Sequence, residues 1–236
     1  MVNIEKIVRQ MKQGQTGPYL CVGDDGHQYI VKGPNTTYAG LIHEWVCGKL
    51  GQHIGLPIPE FDTAYIVGDL IEYDSYQLTE GEWFASKYEK NIQDVPFQAL
   101  NTLDYSLLKL LFLFDYWVKN GDRTLTNHGG NPNLFIGPDV SSCFVLDHNL
   151  AFDCDYDIDI MKHLHLGKEA WFAEQLSLLD KTDYTDRMDK ALERLDDILE
   201  SVPDEWLEQC HDDSILDSIR VVLHRIHEPE FWEGIK

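Results

Sequence analysis

The stretch Ser106–Asn120, SLLKLLFLFDYWVKN, limits the fold more than any other part of the chain. From Leu107 to Val118 it is apolar all round apart from Lys109 and Asp115, and a helix without a polar face has to be enclosed by other elements. It is shorter than the roughly 18 to 20 residues a membrane span requires. The segment therefore predicts a buried helix inside a helical body. The polar run behind it, Gly121 to Pro132, is rich in glycine and asparagine and predicts a loop.

The residues ahead of this helix have a different period. Residues 18–32, PYLCVGDDGHQYIVK, are two strand-like runs around Asp24-Asp25-Gly26, a turn whose glycine supplies the positive φ a hairpin wants. From Tyr38 to Gln52 apolar residues recur at helical spacing, with Glu44 in their midst, until Gly55 and Pro57 stop the pattern. Residues 61–72 read as one or two strands, followed by a loop to about Thr79. Beyond the buried helix, Asn133–Ile136 and Cys143–Leu146 read as short strands joined at Gly137-Pro138, which puts Asp147 at a strand end. From Lys168 onward the sequence is helical, including the amphipathic run Asp183 to Glu200. The expected fold is α+β with two lobes. A small, mostly β lobe spans residues 1–90 and a larger helical lobe spans 91–236, joined by a short hinge near 85–95.

Charge narrows the partners. The chain carries 19 basic and 41 acidic side chains, a net charge of −22, which repels a phosphate backbone or an anionic membrane at distances inside the Debye length. Neither nucleic acid nor membrane is an expected partner, whereas a local basic pocket can still hold a nucleotide once magnesium neutralises part of its charge. The five cysteines, Cys21, Cys47, Cys143, Cys154 and Cys210, contain no CxxC pair, and the N-terminal MVNIEKIVRQMKQ has no apolar core of a signal peptide. A reduced, cytoplasmic protein is the expectation.

Three short elements carry chemistry. Lys32 ends a strand and Glu44 lies twelve residues later on a helix, the order in which a helical carboxylate can hold a lysine against phosphates. Asn120-Gly121-Asp122-Arg123 leaves the buried helix and opens a loop containing Asn127, Asn131 and Asn133, so that a carboxylate and several amides share one segment; a helix C-cap and turn favours the same residue types. Phe144-Val145-Leu146-Asp147-His148 ends an apolar strand in an acid, a presentation suited to magnesium. Phosphoryl transfer from ATP needs a cation on the phosphates, hard oxygen ligands for the metal and a carboxylate to position the acceptor hydroxyl. The three elements supply these in a workable order.

Taken together, GPYLCVGDDGHQYIVKG, LIHEWVCGKLGQHIGLPIPEF, FDYWVKNGDRTLTNHGGNPNLFI and FVLDHNLAF resemble the HipA-like kinases, distant relatives of protein kinases and phosphatidylinositol kinases, over about residues 10–155. The resemblance implies a kinase using ATP and Mg²⁺, with Asp122 and Arg123 in the catalytic loop, Lys32 on the phosphates, Glu44 as its partner and Asp147 as the main metal ligand. The metal-binding asparagine is Asn131 or Asn127, because this chain inserts His128-Gly129-Gly130 ahead of its Asn-Pro-Asn. Gly14 and Gly17 would form an incomplete glycine-rich phosphate loop. Members of the family are often toxins that phosphorylate proteins, which implies a Ser or Thr acceptor and an antitoxin or other protein partner. A small-molecule acceptor and a nucleotide-binding pseudokinase are the alternatives.

Two other clusters fit their metals poorly. Asp153, Asp155, Asp157 and Asp159 alternate as in a calcium loop, but Ile158 and Leu164 stand where an EF-hand needs glycine and glutamate. His163 with His165, and His224 with His227, have no cysteine or acid at zinc-ligand spacing.

Overall fold

The computed structural model describes residues 1–11, 16–71, 77–139 and 142–236. Strands fill its N-terminal part and helices its C-terminal part. The hairpin forms as the sequence predicts: β2 (Tyr19–Gly23) pairs with β3 (Gln28–Lys32) across a turn in which Gly26 has φ +78°. Lys32 is the last residue of β3.

Two further strands escape the sequence pattern. β1 (Val2–Gln10) pairs antiparallel with β2, and irregularities in its register between Ile4 and Lys6 and between Ile7 and Arg9 break strict alternation. Ile4 and Ile7, three apart, both point inward and are buried, a spacing that hides a strand from a period-two search. β4 (Phe61–Ile66) is followed by β5 (Gly81–Lys87), and these close a barrel in the order β1-β2-β3-β5-β4, with β1 and β4 parallel at the seam. Strand therefore occupies the first part of the expected hinge, and the chain leaves the barrel after Lys87.

Helix α1 (Tyr38–His53) starts at Thr37, whose hydroxyl accepts the Gly40 N–H, and ends before Gly55 at φ +91°. It is buried on two sides. One side lies on the barrel, where Trp45 meets Phe61 edge-on at 5.4 Å between centroids. The other is covered by the C-terminal helices α6 (Leu195–Glu200) and α7 (Asp204–Gln209): Trp45 donates to Ser201 Oγ at 3.0 Å and packs on Trp206, whose indole donates to the Glu82 carbonyl at 2.7 Å. Residues distant in sequence thus clamp the helix that carries Glu44.

The apolar segment is α2 (Tyr105–Trp117), capped by Asp104, with every residue from Leu110 to Trp117 buried. The expected loop behind it contains a small hairpin, β7 (Thr124–Thr126) with β8 (Gly129–Asn131), after the two-residue strand β6 (Gln93–Asp94). Gly129 at φ +105° and Gly130 at φ +158° let the chain reverse so closely that a Cβ on Gly130 would sit 2.4 Å from the Thr124 carbonyl. β9 (Leu134–Ile136) and β10 (Cys143–Val145) pair antiparallel, and β9 also takes β6. Within the acidic run after Asp147, Asp157 caps α3 (Ile158–Leu164), which leads to α4 (Lys168–Phe172). The amphipathic run begins earlier than expected, in α5 (Leu178–Leu192) behind a Ser177–Asp180 capping box, and breaks at Glu193-Arg194 before α6. α8 (Ile215–His224) and α9 (Pro229–Gly234) close the fold over α2, where Trp117 donates to the Leu223 carbonyl at 2.7 Å. Among the described residues, no helix is long and apolar enough to cross a membrane.

Candidate functional site

The end of β3 meets the second residue after β10, between barrel and helices. Lys32 Nζ lies 2.8 Å from Asp147 Oδ1 and 3.0 Å from Glu44 Oε2, and Glu44 Oε2 also accepts the His148 backbone N–H at 2.7 Å. Burial works against the Lys32 charge, but Asp147 and Glu44 outweigh it and hold its pKa above the ordinary lysine value. Burial likewise acts to raise Asp147, and Lys32 reverses it, so that Asp147 is held below the usual carboxylate range. Glu44, the deeper of the two acids, is raised by burial. Two acids share one ammonium, so the carboxylates at this point outnumber the cation they hold.

Asp147 stands two residues beyond β10 with φ +63°, a left-handed conformation that Asp tolerates better than most residues. Facing it is the catalytic-loop candidate. Asp122 Oδ2 accepts Asn131 Nδ2 at 2.7 Å and Asn133 Nδ2 at 3.2 Å. Its pKa is raised by burial and then by the charge of Asp147, with the two amide donors opposing. Because both amides turn their nitrogens to Asp122, their carbonyl oxygens remain as neutral hard donors. Carboxylate plus amide oxygen is a donor set that fits magnesium.

The hairpin separates the two asparagines left open by the sequence. β8 returns Asn131 to Asp122, whereas Asn127 lies exposed at the turn between β7 and β8. Asn133, which sequence reasoning places in the amide-rich loop without making it a ligand, is buried, has φ +44° and touches Asp122. Its place as the second Asn of Asn-Pro-Asn, directly before β9, was the available signal. Arg123 differs from its expected place among the reacting groups: its side chain is 0% exposed and spent on Asp115, backbone carbonyls and His148. It supports the loop from beneath.

Gly17, at φ +57°, lies in the β1–β2 connection. Since Gln10 pairs with Tyr19 and Tyr19 with Val31, that connection sits at the barrel end where Lys32 emerges. Gly14 falls outside the described residues. Asp153, Cys154 and Asp155 bring ligand atoms within 4.8 Å of one another, all on the exposed surface. His165 is buried against Asp115.

The buried histidines make stability pH-dependent. Burial, then the Arg123 charge, lowers His148 to about 3, and burial lowers His43 to about 4. Below about pH 6.5 the unfolded chain takes up protons that the native chain refuses, so stability falls with acid from there down through the native values. The unfolding free energy read from urea titrations is expected to drop between pH 7 and pH 5, by on the order of 1–2 kcal/mol for His148. Glu44 and Asp122, raised in the native state, act in the opposite sense. The decisive comparison is therefore with His148→Gln, which should flatten the profile; an unchanged slope would remove His148 as its source.

A family model for HipA-like kinases matches residues 4–235. No curated protein sequence matches the chain. Among solved structures, the proinflammatory kinase CtkA of Helicobacter pylori shares the fold with a TM-score of 0.53, at 14% identity, over 95% of this chain and 96% of that one. The Golgi casein kinase matches more loosely, with a TM-score of 0.47 at 11% identity over 100% of this chain and 73% of that one. With the family match running almost from end to end, the chain belongs to the HipA-like kinase family and is a phosphotransferase.

Proposed function

We propose that this kinase transfers the γ-phosphate of ATP to a Ser or Thr hydroxyl of a protein, with Mg²⁺ as its metal. The observation that carries the reading is the convergence of Lys32, Asp147 and Asp122 with its two amides from four separate segments of the chain. Mg²⁺, when bound, neutralises charge on the phosphates. Asp147 would hold it together with Asn133 or Asn131. Lys32, kept protonated by its two acids, binds the phosphates and is steered by Glu44 from the clamped helix α1.

Asp122 orients the acceptor hydroxyl and takes its proton at a carboxylate oxygen as the new O–P bond forms and the bond from the γ-phosphorus to its bridging oxygen breaks, ADP leaving with that electron pair. A raised pKa suits that task, since a more basic carboxylate accepts the proton more readily. A toxin role with an antitoxin as partner, implied by the family resemblance, and a cytoplasmic location, suggested by the cysteine spacing, belong to the same proposal.

Incubation with γ-labelled ATP, alone and with cell lysate, tests the reading when labelled proteins are separated from labelled metabolites. Label on protein, dependent on Mg²⁺, is the expected result. Label confined to small molecules would move the acceptor to a metabolite, and none at all would end the ATP-kinase reading.

A further inference from the structure

Beneath the candidate loop lies a buried polar cluster whose shape the roles of Asp122 and Asp147 leave unexplained. Asp115, fully buried on α2, accepts three bonds: Asn120 Nδ2 at 2.8 Å on Oδ1, and Arg123 Nε at 2.7 Å and His165 Nε2 at 2.9 Å on Oδ2. The histidine is preset for this. Its Nδ1 accepts the Gly167 N–H at 2.9 Å, which leaves the proton on Nε2, facing the carboxylate. Burial opposes the Asp115 charge, and Arg123 and His165 overcome it, so that its pKa lies well below the carboxylate range.

With Nε fixed on Asp115, the terminal nitrogens of Arg123 have one direction left. One donates to the carbonyls of Asn133 and of Leu146, the latter at 3.1 Å, with Pro132 at 3.4 Å; the other meets His148 Nε2 at 3.0 Å. These carbonyls belong to Asn133 itself and to the residue before Asp147. The Asn133 carbonyl also accepts the last bond of the β9–β10 ladder, from Leu146 N at 3.1 Å; the Leu146 carbonyl lies beyond that bond, and both Asn133 and Asp147 have positive φ. A buried ion pair stabilises little compared with apolar residues of the same volume, because desolvation offsets the attraction. What this one supplies is a fixed distance.

We propose that Asp115, with His165 as its second anchor, is a positioning residue for the metal–nucleotide site: it sets the Arg123 fork, and the fork sets the spacing between Asn133 and Asp147. The inference rests on reading those two residues as metal donors. Loss of a group that orients metal ligands typically lowers metal affinity about 10- to 100-fold.

The test uses Mn²⁺ with a non-hydrolysable ATP analogue, following free Mn²⁺ by electron paramagnetic resonance, with circular dichroism to establish the folded fraction. Asp115→Asn and Arg123→Lys are each expected to weaken Mn²⁺ binding per folded chain at least about 10-fold, while metal-free binding of the analogue stays unchanged. If Asp115→Asn does not fold, His165→Gln, which keeps the carboxylate and two of its donors, carries the test with a loss at the lower end of that range, about 10-fold. Variants that melt earlier but bind Mn²⁺ like wild type per folded chain overturn the inference and leave the kinase reading standing. A wild-type chain that binds no Mn²⁺ with the analogue overturns both.

Discussion

Replacing Asp122 by alanine is expected to slow phosphoryl transfer about 10²- to 10⁴-fold, the usual contribution of a carboxylate that orients and deprotonates a hydroxyl. The change should leave the fold intact, because Asp122 lies past the end of α2 in a half-buried loop, away from the apolar core. It will not be free of cost. Asn131 is exposed and can turn to water, but Asn133 is buried, so its amide loses a partner, at about 1–3 kcal/mol. Initial rates of γ-phosphate transfer and a urea midpoint on the same preparation separate the two effects. A variant that unfolds no more easily than this and transfers phosphate as fast as wild type would remove Asp122 from the chemistry.

The alternation of rate and stability effects at one residue reflects which parts of the site could be read from sequence. Lys32, Glu44, Asp122 and Asp147 each stand in or shortly after an element that the sequence marks: a hairpin strand, a helix with apolar residues at helical spacing, an all-apolar helix and a short apolar strand. Their approach to one another follows once those elements exist. What sequence could not supply was the pairing of elements joined by longer or less regular connections. β5 and β1 were missed because one follows a long polar connection and the other has its inward residues three apart. The different positions of Asn131 and Asn127 depend on the β7–β8 hairpin, whose glycines read equally well as an open loop. Asp115 and His165, fifty residues apart, carry no shared motif, and only packing brings them to one oxygen pair. The clamp of α1 by Trp206 is of the same kind.

Asp147→Asn is expected to remove metal-dependent nucleotide binding, whereas Asp122→Asn should leave binding nearly intact and lose turnover. The difference follows from what each carboxylate touches. Asp147 lies against Lys32 at 2.8 Å, at the place where phosphates and metal would meet the lysine, while Asp122 is held 2.7 Å from the amide of Asn131 on the other side of the loop. Truncating one member of a desolvated charge contact costs about 2–5 kcal/mol, so Mg-ATP affinity in Asp147→Asn should fall at least about 30-fold. The fold should tolerate the change well, because Lys32 keeps Glu44 at 3.0 Å and the cluster loses its surplus negative charge rather than its only cation. Calorimetry with Mg-ATP, repeated with the metal chelated, reads both variants. Chelation should bring wild type down to the Asp147→Asn level and leave Asp147→Asn where it was. If the two substitutions weaken Mg-ATP binding equally, or if Asp147→Asn responds to chelation as strongly as wild type, Asp147 is not the residue that holds the metal.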